Sequence, residues 1–241
     1  MSKPATHAQS AAEPKAPNIA RFAPAEHLHE ARLQLLEREG SYDSARFFDQ
    51  RADELDALLA TFLDCVFEQS QATALMLDRA HISRTMFAEC GIAQLHAVGA
   101  GFADCLFTGC RFGSFAAMES SMHSVEMRDC HIGYLNLRDA TWRDVRFIDC
   151  VIDEFDAGGA QLTRVAFPGT RIELVNLQHA TVSDVDLRGA RLHRIENVEY
   201  LRGTTMSLDQ IASPPRSPRA SASAWRKGIN IYGGTVGTRN N

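Results

Sequence analysis

No stretch of this 241-residue chain approaches 18 consecutive apolar side chains, so no membrane-spanning helix is expected. The N-terminus lacks the charged-then-apolar layout of a secretory signal, and the chain is therefore expected in the cytoplasm. There is no glycine-rich loop of the kind that cradles phosphates. The nine histidines show no metal-ligand spacing, and acids such as Asp153 and Glu154 are consecutive, with nothing to suggest a cleft between them. These absences predict a protein that is not an enzyme and has no cofactor, no metal and no small-molecule substrate.

The formal net charge is −5, unevenly placed. Residues 61–200 carry twelve bases and nineteen acids, whereas residues 201–241 carry six bases and one acid. The middle of the chain should repel nucleic acid mildly, and direct nucleic-acid binding by it is not expected, while the tail could attract it. Apolar residues make up 45% of the chain, enough for a core of one main domain.

What is present is a period. From Phe62 to Leu192 an apolar residue stands at every fifth position, 27 times without a miss. The series includes Phe67, Phe87, Phe107, Phe112, Trp142, Phe147 and Phe167. Neither a helix nor a plain strand has this repeat, and a fixed long-range period marks a solenoid. The residue two before each centre is never charged between Cys65 and Ile195, and it includes Phe115 and Phe155. Two side chains in five therefore point inward. A backbone turning a corner every five residues gives a four-sided coil of 20 residues. Residues 61–200 then make seven coils, stacked ~4.8 Å apart into a rod ~33 Å long.

Two details support that geometry. From residue 110 the inward flanking position alternates in size, with Cys110, Ser120 and Cys130 small and Phe115, Val125 and Leu135 large. Such alternation fills a cross-section without voids. Where the centre shrinks to Ala97, Ala117 or Ala157, the flanking residue is Leu95, Phe115 or Phe155. All six cysteines fall at the inward flanking position, and Cys90, Cys110, Cys130 and Cys150 are 20 residues apart. A straight ladder of thiols cannot surround one zinc ion, so these are read as small packing residues.

The blocks Cys65–Val66–Phe67, Ala140–Thr141–Trp142, Ala180–Thr181–Val182 and Ala190–Arg191–Leu192–His193–Arg194 resemble the pentapeptide-repeat proteins, over roughly residues 61–200. The family's unit is a small residue, Asp or Asn, Leu or Phe, then two polar residues. The Asp or Asn is sparse in this chain, at Asn136, Asp156, Asn176 and Asp186. The resemblance implies an all-β solenoid, a right-handed quadrilateral β-helix. It also implies a candidate role, because some members mimic DNA, bind DNA gyrase or topoisomerase IV, and protect it from quinolones or toxins. Members of the family often form a homodimer through a C-terminal helix.

Charge qualifies that role. Asp64, Asp104, Asp144 and Asp184 recur every 40 residues and share a face, interrupted by Arg84 and Arg164. Asp129 and Asp149 stack on the next side, and Asp139 lies above Glu119 on another. These columns read either as a solvated face of alternating sign or as an anionic protein-binding surface. A duplex of that length carries ~19 negative charges of one sign. The repeat body has as many acids but also twelve bases, and Arg128, Arg146 and Arg188 share a side with Asp129 and Asp149. The alternative function is a structural scaffold that recruits a partner through its terminal segments.

At the ends, residues 1–20 read as disordered and 21–44 as a helix or cap, with Leu28, Ala31, Leu35 and Leu36 as an apolar stripe. Residues 45–60 read as helix locally but fall in the five-residue register, so the solenoid is placed at 45–200. Residues 201–212 read as a C-terminal cap, with Ser207 and Gln210 giving a capping-box signal. Residues 213–241 read as a largely disordered tail rich in Pro, Ser and Arg.

Overall fold

The computed structural model describes residues 13–217 and 229–232. The five-residue period closes into four-sided coils. Side one carries Phe62, Phe102 and Trp142, side two Phe67, Phe107 and Phe147, side three Ala72, Phe112 and Ile152, and side four Leu77, Ala117 and Ala157. Strands pair in parallel one coil apart: Phe102 lies opposite Met122 and Met122 opposite Trp142, while Leu95 lies opposite Phe115 and Phe115 opposite Leu135. A 14-stranded sheet covers sides one and two, and an 8-stranded sheet covers side three and the turn into side four.

The result is a parallel β-solenoid of about 9 turns, where the sequence predicted seven. The further turns lie at the ends, the first of them over the stretch from residue 45 that the five-residue register already assigned to the solenoid. Ser41–Asp43, Ala45–Phe48 and Arg51–Asp56 form strands that pair with Thr61–Leu63, Val66–Glu68 and Gln71–Met76, burying Ala45, Phe47, Leu55 and Ala57. At the other end Thr204–Ser207 pairs with Asn230–Tyr232, and Ile229 is buried. Part of the expected disordered tail is thus built into the sheet, because an open solenoid end leaves a strand edge and core to cover. The rest of the tail, residues 218–228 and 233–241, lies outside the described residues.

The corners are of two kinds. At three of them every coil from Glu39 to Gly189 places a residue with positive φ, as at Asp144, Asp149 and Gly159. The corner between sides three and four, at Ala74, Ser114 and Glu154, needs none. Asp, Asn and Gly tolerate the left-handed region best, which favours them there. The scarce Asp and Asn before the centre have a separate role. Asn136, Asp156, Asn176 and Asp186 accept bonds of 3.0–3.3 Å from the backbone N–H two residues on. Where they are missing, the ladder between coils holds the chain, as from Ala97 N–H to the Ala116 carbonyl at 2.8 Å.

The core is continuous along the rod. Phe67, Phe87, Phe107, Phe112, Phe115, Trp142, Phe147, Phe155 and Phe167 are each at most 3% exposed. On side two the Phe47, Phe67, Phe87 and Phe107 rings stack at 4.5, 4.7 and 4.8 Å, the spacing of the coils themselves. Trp142 donates its Nε1–H to Ser120 Oγ at 3.1 Å, and that hydroxyl donates to the Ala117 carbonyl at 2.6 Å. Ser120→Ala should therefore orphan a buried indole N–H and cost about 1–3 kcal/mol in urea denaturation; an unchanged midpoint would contradict this.

Of the two readings of residues 21–44, helix or cap, the α-helix does not form. His29–Glu30 adds a short parallel strand to Ala45–Arg46, and Leu33–Leu35 makes one 3-10 turn. Leu33 and Leu36 are buried, while Leu35 of the expected stripe is 68% exposed. Gln50 ties the segment down, accepting from Leu33 N–H at 2.7 Å and donating to the Ala31 carbonyl at 2.6 Å. The need to satisfy an open sheet end outweighs a helix propensity of a few tenths of a kcal/mol per residue. At the C-terminal end Leu208–Ala212 is a short helix with both capping-box bonds, between Ser207 and Gln210. Among the described residues no helix is long and apolar enough to cross a membrane.

Candidate functional site

All eight acids singled out from the sequence occupy left-handed corners. Asp64, Asp104, Asp144 and Asp184 lie between sides one and two, Asp129 and Asp149 between two and three, and Glu119 and Asp139 between four and one. Backbone conformation alone accounts for an Asp at such a position. Each acid has therefore to be judged by its partners.

The first corner is largely neutralised. Arg84, one coil on, clamps Asp64 with two bonds of 2.7 Å, and Arg164 clamps Asp144 with two of 2.6 Å. The Asp144 side chain is 2% exposed, with Arg143 and His123 at 3.6 and 3.7 Å. Hydrogen bonds from the two guanidinium groups hold both carboxyls below the usual carboxylate range.

The same corner carries a segment that the sequence reading left disordered. Backbone N–H groups of Lys15, Asn18 and Ala20 donate to Asp184 Oδ1 at 3.1 Å, Asp144 Oδ1 at 2.8 Å and Ser124 Oγ at 2.8 Å. Residues 13–20 thus run along the rod, and residues 1–12 lie outside the described residues. The only local signals for this were the spacing of Pro14 and Pro17 and the 40-residue period of the acids.

The other two acid columns differ. Asp129, Asp149, Glu119 and Asp139 are exposed and form no ion pair among the described residues. The bases beside Asp129 and Asp149 are engaged elsewhere. Arg128 and Arg146 pair with the buried Glu126, and Arg188 holds Asp186 at 2.7 and 2.9 Å. The carboxylates of Asp139 and Asp149 fill the space that a Cβ on Gly159 or Gly169 would need, so those glycines supply both the positive φ and the room.

The six cysteines are free and buried. Cys90, Cys110, Cys130 and Cys150 stand on successive coils, and Ser70 and Thr170 extend their column. Cys110 and Cys150 donate to the carbonyls of Phe87 and Met127 at 3.3 and 3.4 Å. Burial pushes the Cys105 thiol up to about 12; within the ladder, hydrogen bonds between successive thiols push Cys110 and Cys150 up and Cys90 and Cys130 down. Enclosed in the packed core, these thiols are out of reach of a substrate or a metal ion. No group of three or more His, Cys, Asp or Glu among the described residues is arranged to hold a metal.

One concavity departs from the sequence reading. A groove of about 620 Å³ opens beside Asp153 and Glu154, lined also by Glu173, His193, Arg194 and Arg216. It exists because residues 213–217 return to the last coil, where Arg216 pairs alongside Arg194. Acids and bases line it together, and Asp153 meets His131 Nε2 at 3.3 Å.

Residues 158–194 match the model for pentapeptide repeats in 8 copies. No curated protein sequence matches the chain. Among solved structures, full-length QnrB1, described as a plasmid-mediated fluoroquinolone resistance protein, is similar over 80% of this chain and 94% of its own, at 15% identity and a TM-score of 0.37. A trypsin-treated form of QnrB1 is similar over 67% and 80%, at 12% identity and a TM-score of 0.23. The matched stretch lies inside the unbroken register from Phe62 to Leu192, and the coils continue that register in both directions: residues 158–194 are pentapeptide repeats, set in a β-solenoid that keeps their five-residue period.

Proposed function

We propose that this protein is a non-enzymatic, protein-binding rod, and that its partner is DNA gyrase or topoisomerase IV, whose DNA-binding saddle it occupies as a DNA mimic. The observation that carries the reading is the state of charge on the surface. Asp129, Asp149, Glu119 and Asp139 project from two corners without ion pairs among the described residues, while the neighbouring Arg128, Arg146 and Arg188 are held by Glu126 and Asp186. Repeated carboxylates of this kind suit a basic groove built for phosphates. The packed interior leaves recognition to the outer surface. The partner is named by the resemblance of the repeats to gyrase-protecting family members, and a cytoplasmic site of action goes with it.

Purified protein in molar excess over gyrase should lower quinolone-induced cleavage complexes. Asp129→Lys with Asp149→Lys should weaken that protection about tenfold or more, since each exchange reverses a charge in contact with a basic groove. Full cleavage at every concentration of wild-type protein would sink the assignment. A homodimer belongs to the same proposal, because two rods joined end to end give a span closer to a topoisomerase saddle; light scattering would read 26.6 kDa or twice that mass.

A further inference from the structure

The corner between sides one and two already holds an extended peptide, and the fit is periodic. Pro14 and Pro17 are half-buried, and after a shift of one residue so are Ile19, Phe22, Ala25 and Leu28, with the residues between them exposed. Burial at every third residue matches polyproline II, which has three residues per turn and no internal hydrogen bonds. Pro14, Pro17 and Pro24 fix φ near that conformation and bias the residues before them toward it.

Its length also matches the rod. Three residues of polyproline II advance the donor from Lys15 to Asn18 by ~9.3 Å. Their acceptors, Asp184 and Asp144, stand two coils apart, ~9.6 Å. Each donor directly follows a proline: the proline lies against the rod, and the next N–H reaches a carboxylate. Asp144 is oriented for this by Arg164, which uses both carboxylate oxygens while Asn18 shares one of them.

We infer that the Asp184–Asp144–Ser124 corner is a binding track for polyproline-II peptides. Its ligand class is an extended segment with prolines three residues apart and a free N–H after each. Residues 15–20 occupy the track in cis and compete with such a segment arriving in trans. The track uses a different corner from the exposed carboxylates proposed to face a topoisomerase, so it stands independently of that partner.

Lys15→Pro combined with Asn18→Pro, made in the full-length protein, holds φ in the polyproline-II range and removes both donors. A fluorescein-labelled synthetic peptide of residues 13–22 would be titrated by anisotropy, with NMR shift mapping to millimolar peptide. The peptide should bind the double-proline protein at least tenfold more tightly than wild type, whose own arm blocks the track. The same peptide carrying both prolines should lose that advantage. In wild type, the Asn18 and Ala20 amides should exchange with solvent well below the random-coil rate. Equal affinity for the two proteins, no shifts in the double-proline protein at millimolar peptide, or random-coil exchange at Asn18 would each overturn the proposal.

Discussion

Phe155→Ala should lower the unfolding free energy by about 3–5 kcal/mol. Phe155 is 2% exposed and meets the rings of Phe147 and Phe167 edge-on, at 6.2 and 5.4 Å. In register it lies between Leu135 and Val175 on the coils either side. The next inward residue is Ala157, fully buried and without a methylene to move into the space. The surrounding coils are tied by backbone ladders, so the cavity cannot collapse cheaply. The melting temperature should fall on the order of 10 °C, whereas Phe155→Leu should cost about 1 kcal/mol. Each coil touches only its neighbours, so hydrogen exchange should show protection lost first over roughly residues 135–175. An alanine variant that melts with wild type would mean that the ring is not a packing element.

Asp144→Ala should have the second largest effect. It removes a carboxylate that accepts from Arg164 and from Asn18 N–H, leaving a guanidinium only 18% exposed without its partner. Breaking a fully buried pair costs 3–5 kcal/mol and an exposed one under 1, so this half-screened site should lose about 2 kcal/mol. The pH dependence has a definite sign. Arg164 depresses the Asp144 carboxyl in the folded state, as Arg84 does that of Asp64. The resulting stability is complete above the unfolded carboxylate range, near pH 4, and is lost as pH falls through the depressed folded values. Asp144→Asn should therefore flatten the acid limb of a stability–pH profile below about pH 4. An acid limb as steep as wild type would show that this carboxylate does not carry the dependence.

The parts of the molecule that could be read in the chain share a physical character. The alternation of Cys110 with Phe115 and the pairing of Ala157 with Phe155 are local in sequence, and they survive into the fold because each coil repeats the last. The acid columns were legible as columns but not as corners. A period of 40 at Asp64 and Asp104 looks the same whether it serves a partner or a left-handed turn, and only the clamps by Arg84 and Arg164 separate the occluded acids from the exposed ones. The N-terminal arm was not read because its bonds join residues as far apart as Lys15 and Asp184, and the spacing of Pro14 and Pro17 does not by itself name an acceptor. The helical reading of residues 21–44 misled for the opposite reason: their helical preference is real but small beside the cost of an uncovered sheet end.

An unbroken register of inward side chains was enough to specify the coil and its core, since hydrophobic burial every five residues leaves a chain of this length few other ways to close. Only the folded molecule decided how the two ends are covered, which carboxylates face solvent, and that residues 13–20 lie along one corner. Those outcomes depend on backbone hydrogen-bonding groups and charges brought together from distant parts of the chain, and no local pattern encodes which of them will meet.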